Sequence, residues 1–179
     1  MLPDNLTIRA EERDDELAIA TVVEAAFGSP AEARLVSAIR ASENFVPELS
    51  LVAELDGRIV GHVMISAVWL RHEDSQRQIA SLAPLAVAPE FHNRGIGSAL
   101  VREVTARADG RGEPVVVLEG NPAFYGRLGF EHAVPFGIQI TLPSWAPPEA
   151  AQVMRLRNYD PSIRGQVVYP PAFDDVVEH

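Results

Sequence analysis

The feature that most restricts the fold is a strand that runs through a glycine-containing turn into the longest helix pattern of the chain. Residues 79–87 form an apolar run of β character, and residues 96–109 carry apolar side chains at helical spacing. Gly95 and Gly97 lie at the junction, directly after Arg94. The first N–H groups of a helix have no partner within it, and the helix dipole favours negative charge there. The junction therefore predicts an anion-binding turn.

Two phosphate-binding motifs do not fit this turn. A dinucleotide fingerprint requires glycine or alanine where Leu100 stands, and a P-loop requires Gly-Lys followed by Ser or Thr. Two glycines can also serve only to permit a tight strand-to-helix turn. The surrounding sequence, rather than the glycines alone, has to identify the ligand.

The rest of the chain alternates helix and strand patterns. Helices are predicted at 14–27, 31–41 and 122–128, the last capped by Asn121. Strands are predicted at 6–10, 49–55, 58–70, 115–118, 138–142, 152–157 and 166–169. Asp56-Gly57 is a strong signal for a two-residue hairpin turn. This order predicts a single α/β (α+β) domain over residues 1–179 with a sheet of mixed direction, which residues 141–179 complete.

Composition limits the possible ligands and partners. The 179 residues include no cysteine, which excludes disulfides, a thiol nucleophile and thiolate metal sites. The histidines, at positions 62, 72, 92, 132 and 179, lack the short spacing of a helical zinc site, so we expect no metal. A net charge of -10 opposes binding to nucleic acid or to an anionic membrane.

No segment of the sequence predicts insertion into a membrane or transport across one. The longest nearly apolar run, residues 59–70, is too short to span a bilayer. The residues that follow Met1 lack the basic and apolar regions of a secretory signal. We therefore expect a cytoplasmic protein.

Two blocks resemble the GCN5-related N-acetyltransferases, the GNAT superfamily. Its acetyl-CoA motif, Gln/Arg-x-x-Gly-x-Gly/Ala after a strand ending Leu-x-Val-x-Pro, is matched by residues 85–97, with His92 in the first position. Residues 124–130, Phe-Tyr-Gly-Arg-Leu-Gly-Phe, resemble the family's tyrosine helix and next strand. Residues 120–127 and 169–173 look more narrowly like the YhbS-type members. The resemblance implies a mostly antiparallel sheet of six to seven strands with about four helices, splayed between strands four and five.

The resemblance also implies a set of acetyl-CoA contacts. Backbone groups of Leu85, Ala86 and Val87 would bind the pantetheine arm, and one N–H there would polarise the thioester carbonyl. N–H groups of the turn would hold the pyrophosphate, with a hydrogen bond from the imidazole of His92. The full set of expected cofactor contacts is Leu85, Ala86, Val87, His92, Asn93, Arg94, Gly95, Ile96, Gly97, Ser98, Asn121 and Tyr125.

Two residues are candidates for proton transfer. Tyr125 corresponds to the family tyrosine that would protonate the departing thiolate. An amine acceptor must lose a proton, and residues 78–87 contain no Asp or Glu to take it. Glu119, at the end of the fifth strand, is the best acidic candidate for the base, with His62 or His72 behind it.

The resemblance implies acetyl transfer from acetyl-CoA to a primary amine of a small molecule or peptide, by direct attack in a ternary complex. The acceptor would enter around residues 27–34 and 136–145, where Trp145 could line a pocket together with Tyr169. Two alternatives remain open: a non-catalytic acyl-CoA-binding or regulatory module, and a partner-binding subunit of a larger acyltransferase. A homodimer is also compatible with the family.

Overall fold

The computed structural model describes residues 1–176, which group into two compact units. Unit 1 comprises residues 1–66 and 83–107, and unit 2 comprises residues 67–82 and the chain from 108 onward. A single domain over 1–179 stays a prediction. Residues 177–179, including His179 and the end of the expected C-terminal segment, lie outside the described residues.

Unit 1 is built on an antiparallel meander. It contains β1 (Leu6–Ala10), β2 (Ser50–Leu55), the first part of β3 (Arg58–His72) and the last part of β4 (Ser75–Val87). β2 pairs with β1 and with β3, both antiparallel. The predicted hairpin turn is confirmed, because Asp56 and Gly57 have φ angles of 51° and 79° and the two-residue turn requires positive values.

Three helices cover the strands of unit 1. They are α1 (Glu16–Phe27), α2 (Ala31–Arg40) and α3 (Ile96–Gly110), of which the last three residues belong to unit 2. Leu100 and Val104 of α3 are fully buried. A Cβ atom placed on Gly61 of β3 would lie 2.9 Å from Cδ1 of Leu100. The absence of a side chain at Gly61 therefore lets α3 approach the sheet closely.

Unit 2 adds one helix and the later strands. These are β5 (Val115–Glu119), α4 (Pro122–Gly126), β6 (Glu131–His132), β7 (Ile138–Gln139), β8 (Ala151–Arg155) and β9 (Gly165–Val168). β8 pairs antiparallel with β5 and β6, and β9 pairs antiparallel with β3 and parallel with β7. The described strands thus form a mixed, mostly antiparallel sheet, as expected.

The pairing of β4 with β5 is parallel and short. It joins Ala80 to Val116 and Ser81 to Val117, and then it ends. β5 nevertheless stays paired with β8 as far as Glu119, and β4 continues to Val87. Pro84, which follows a cis peptide bond, has no N–H to donate to a neighbouring strand. The recorded pairing between β4 and β5 thus covers two residue pairs, and the expected splay between strands four and five stays a prediction.

Most element boundaries agree with the sequence, and the differences have local causes. Among the described residues, seven strands have four or more residues, while β6 and β7 have two each, too few to produce an alternating pattern. α4 ends at Gly126 instead of 128, because the N–H groups of Leu128 and Phe130 turn back to the carbonyl of Tyr125. The strand expected at 138–142 is shortened to the two residues that pair with β9.

None of the helices within residues 1–176 is long and apolar enough to cross a membrane.

His62 of β3 is a buried polar residue in the core of unit 1. Its side chain is fully buried, its Nε2 atom lies 3.1 Å from Oγ of Ser50, and its Nδ1 atom has no partner within the described residues. Burial and, to a smaller extent, the positive charge of Arg40 lower the pKa of His62 to about 3. The folded protein therefore keeps this imidazole neutral.

Acid should destabilise the protein through His62. The unfolded chain takes up this proton near pH 6.5 and the folded chain only near pH 3, so stability present at neutral pH is lost as the pH falls below 6.5. Between pH 7.5 and 5, urea unfolding should show a loss about 2 kcal/mol larger for the wild type than for His62→Gln. The matched control is His72→Gln, at an exposed position of the same strand, which should follow the wild type. Equal losses in the wild type and His62→Gln would contradict the prediction.

Candidate active site

The end of β4 has one packed side and one open side. Pro84, Ala86 and Ala88 are buried, whereas Ala83, Leu85 and Val87 alternate with them and are half-buried. This period of two is that of a strand with only one face in the core. Ala86 can therefore meet a ligand only through its backbone, while the half-buried positions face the open side.

The turn after β4 has the backbone that an anion site requires. Asn93 and Gly95 have φ angles of 62° and 80°, in the left-handed region. The N–H of Ala99 donates to the carbonyl of Gly95 at 3.0 Å, which starts the helical pattern. The N–H groups of residues 96–98 precede this bond and have no acceptor within the helix. Residues 92–95 are exposed and Ile96 is buried, so the first turn of α3 is fixed in the core and open at its start.

His92 makes a contact that the sequence did not indicate. Its Nε2–H donates to the carbonyl of Val87 at 2.7 Å. The side chain therefore ties the end of β4 to the turn, across five residues. The hydrogen bond expected from this imidazole to the cofactor stays a prediction.

Positive charge gathers at the same turn. The guanidinium groups of Arg94 and Arg58 lie 5.2 and 5.4 Å from the ring centre of Phe91. Arg58 is also paired with Glu90, which leaves Arg94 as the cation next to the helix N-terminus. A chain with an overall charge of -10 thus has a local positive group beside its free N–H groups.

In unit 2, the end of β5 leads directly into α4. Asn121 caps this helix, since its side chain accepts a hydrogen bond from the N–H of Ala123 at 2.9 Å, and Pro122 occupies the first helical position. Asn121 is confirmed as the predicted N-cap. This local geometry turns the chain so that Tyr125 comes back over the strand end.

The ring of Tyr125 lies against Gly120. A Cβ atom at Gly120 would lie 2.8 Å from Cδ2 of Tyr125, which a real side chain could not tolerate. Phe124 and Phe130 pack edge-on to the same ring, with centroid distances of 4.8 and 5.6 Å. Burial raises the pKa of Tyr125 to about 12. The hydroxyl therefore carries its proton at neutral pH and can donate it.

Glu119 immediately precedes that glycine. Burial around its carboxylate raises the pKa of Glu119, and a hydrogen bond from Tyr169 opposes part of this rise. The Tyr169 hydroxyl lies 3.5 Å from Oε1 of Glu119. Glu119 as a whole residue is nevertheless exposed to solvent. Unit 2 thus has a protonated phenol and a carboxylate with a raised pKa near the same strand end.

The other candidates are placed less favourably. His62 is buried in the core of unit 1, whereas His72 is exposed at the end of β3. Trp145 is 77% exposed and Tyr169 is half-buried. Residues 27–34 lie in unit 1 and residues 136–145 in unit 2. Within residues 1–176, no group of three or more His, Asp or Glu side chains could hold a metal ion.

Comparison with known proteins supplies the family. The model of the acetyltransferase (GNAT) family matches residues 17–130. The chain belongs to the GNAT family. It is also 36% identical over 154 residues to the uncharacterized N-acetyltransferase YhbS of Escherichia coli, a match that covers 86% of this chain and 89% of YhbS. The resemblance to the YhbS-type members is confirmed, and the chain is an enzyme of the N-acetyltransferase class.

Two solved structures of GNAT proteins have the same fold. YhbS from Escherichia coli, in complex with CoA, has a TM-score of 0.85 and 32% identity, covering 97% of this chain and 95% of that one. A GNAT-family acetyltransferase from Brucella melitensis, in complex with acetyl-CoA, has a TM-score of 0.76 and 31% identity, covering 94% and 98%. The GNAT fold therefore extends over nearly the whole chain, beyond the residues that the family model matches.

Replacing Gly120 by alanine should displace Tyr125. The added methyl group would overlap the ring, and such overpacking costs about 1–3 kcal/mol of unfolding free energy. The control is Gly126→Ala, where a Cβ atom meets nothing within 4 Å and stability should change by less than about 0.5 kcal/mol. Urea unfolding and the NMR signals of the tyrosine rings measure both effects. An unshifted Tyr125 signal in Gly120→Ala would refute the contact.

Proposed function

We propose that this GNAT protein transfers an acetyl group from acetyl-CoA to a primary amine of a small molecule or peptide, by direct attack in a ternary complex. The observation that carries the proposal is the anion-binding turn, in which Asn93 and Gly95 adopt left-handed φ angles directly before α3. The CoA and acetyl-CoA complexes of its structural relatives support the same substrate. The proposal includes a cytoplasmic location, in keeping with the cysteine-free composition.

The residues of unit 1 fit the two polar parts of acetyl-CoA. A pyrophosphate needs several N–H donors and a cation, which the N–H groups of residues 95–98 and the side chain of Arg94 can supply. The pantetheine arm needs backbone partners, which the open side of β4 at Leu85 and Val87 can offer. Gly95 adopts a φ angle of 80°, which residues with a Cβ atom rarely adopt, so glycine permits the turn itself. The fit rests on backbone groups more than on side chains.

The residues of unit 2 fit the proton transfers. In the reaction, the neutral amine nitrogen bonds to the thioester carbon, the carbon–sulfur bond breaks, and the nitrogen loses one proton and keeps the other as the amide N–H, while the leaving thiolate gains a proton. We assign Tyr125 to protonate the leaving thiolate, because burial keeps its hydroxyl protonated. We assign Glu119 to accept a proton from the amine, because a raised pKa makes its carboxylate a stronger base. No residue forms a covalent acyl intermediate in this scheme.

A non-catalytic acyl-CoA-binding module is the second candidate. It is favoured by the absence of Asp and Glu from residues 78–87, where a strand base could stand. Such a module would bind acetyl-CoA and fail to release its thiol with any amine. The two candidates therefore agree on binding and differ in turnover.

Acetyl-CoA should stabilise the protein against heat. A ligand present at 100 times its dissociation constant adds about 2.7 kcal/mol to the unfolding free energy. Thermal unfolding is measured with acetyl-CoA, and with NAD and ATP as controls for nonspecific phosphate binding. We expect a rise in melting temperature with acetyl-CoA alone. The absence of any rise would refute the acetyl-CoA site in unit 1.

Tyr125→Phe should lower turnover and leave acetyl-CoA binding intact. The substitution removes the proton donor and keeps the packed ring, and general acid catalysis typically contributes about 10²-fold or more. Thiol release from acetyl-CoA is followed with a panel of primary amines, and binding by the melting-temperature rise. Tyr159→Phe, which removes a hydroxyl elsewhere in unit 2, is the matched control. Unchanged thiol release in Tyr125→Phe would exclude the acid role.

A further inference from the structure

Tyr169 is held in place by its neighbours, and the proposed acetyl transfer assigns it no role. It follows β9 directly, where Val168 pairs with Trp69 of β3. Phe173 packs on its ring at a centroid distance of 4.9 Å. The pairing of β9 holds the backbone next to Tyr169, and the tilted ring of Phe173 restricts the movement of its side chain.

The backbone at Glu119 is also held in place. It is the last residue of β5 and pairs with Ala151 of β8. The following residue, Gly120, donates its N–H to the carbonyl of Ala150 at 3.0 Å and accepts a hydrogen bond from the buried Gln152 side chain at 3.0 Å. The backbone that carries the carboxylate is therefore bonded on both sides of the strand end.

The hydroxyl of Tyr169 lies 3.5 Å from Oε1 of Glu119. This separation is longer than an ordinary O–H···O bond. Catalytic hydrogen bonds in structures without substrate are often long and shorten when the reactants bind. Because the two backbones are fixed, rotation of the two side chains is the movement that would shorten the distance between the hydroxyl and Oε1.

The hydrogen bond has one possible direction. Burial and the nearby Glu119 carboxylate raise the pKa of Tyr169, so the phenol keeps its proton and donates it to the carboxylate. Tyr169 is the titratable neighbour that acts on Glu119, while Tyr125 lies against the next residue, Gly120. A donated hydrogen bond stabilises the charged form of Glu119 and opposes the effect of its burial.

We propose that Tyr169 is the positioning residue that orients the Glu119 carboxylate as proton acceptor for the amine. The inference rests on the proposed function, in which Glu119 is the base. Tyr169 itself exchanges no proton with the reactants. Its hydroxyl occupies one oxygen of the carboxylate and leaves the other for the amine.

The first test needs no acceptor substrate. Tyr169→Phe retains the ring and removes the hydroxyl, and NMR of the ¹³C-labelled glutamate carboxyl groups follows the titration of Glu119, assigned with Glu119→Gln. Loss of the hydrogen bond should move the Glu119 midpoint to higher pH. Tyr159→Phe, the matched control, should leave it in place. An unmoved midpoint in Tyr169→Phe would overturn the proposal, whether or not the chain transfers acetyl groups.

The second test uses the reaction. The reaction is run with acetyl-CoA and an amine that supports thiol release. At pH values on the acid limb of the wild-type profile, kcat/KM of Tyr169→Phe should be about tenfold lower than that of the wild type. The limb itself should move to higher pH together with the NMR midpoint, because the base must be deprotonated. A shifted midpoint with an unshifted limb would overturn the positioning role. Thiol release by no amine in the wild type would instead count against the proposed function, and the NMR result would still decide the contact.

Discussion

The close approach of α3 to β3 at Gly61 fixes the turn before α3. A Cβ atom at Gly61 would lie 2.9 Å from Cδ1 of Leu100, so glycine lets the apolar face of α3 pack into the core of unit 1 without displacing that side chain. Burial of that face determines the direction of the helix, and with it the direction of the unpaired N–H groups at its first turn. Ile96, buried at the start of the helix, anchors the turn itself. The packing of α3 in the core thus determines where its unpaired N–H groups are exposed at the surface.

Burial has different consequences for two acidic groups near the end of β5. It disfavours the charged form of every acid, so it raises the pKa of both Tyr125 and Glu119. For the tyrosine, the effect keeps the phenol neutral, and the proposed acid role requires its hydrogen. For the glutamate, it increases the affinity of the carboxylate for a proton, which the proposed base role requires. One physical cause therefore acts on both residues of the proposed proton transfers.

The sequence predicted the features whose signals are local. Asp56-Gly57 marks its own hairpin, Asn121-Pro122 marks the start of α4, and the spacing of glycines marks the turn before α3. The contacts of the candidate site are not local. Tyr169 meets Glu119 across 50 residues, and only the strand pairings bring them together. The closeness of the Tyr125 ring to Gly120 depends likewise on how tightly α4 turns back, which no spacing encodes.

His92 departs from the family motif and forms a hydrogen bond within the protein. Gln or Arg in this position would offer a flexible donor, whereas the shorter imidazole donates to Val87 at 2.7 Å. This bond ties the end of β4 to the turn before α3. In the proposed acetyl-CoA site, N–H groups of α3 and the side chain of Arg94 would bind the pyrophosphate. The turn that carries these groups is tied to β4 by His92.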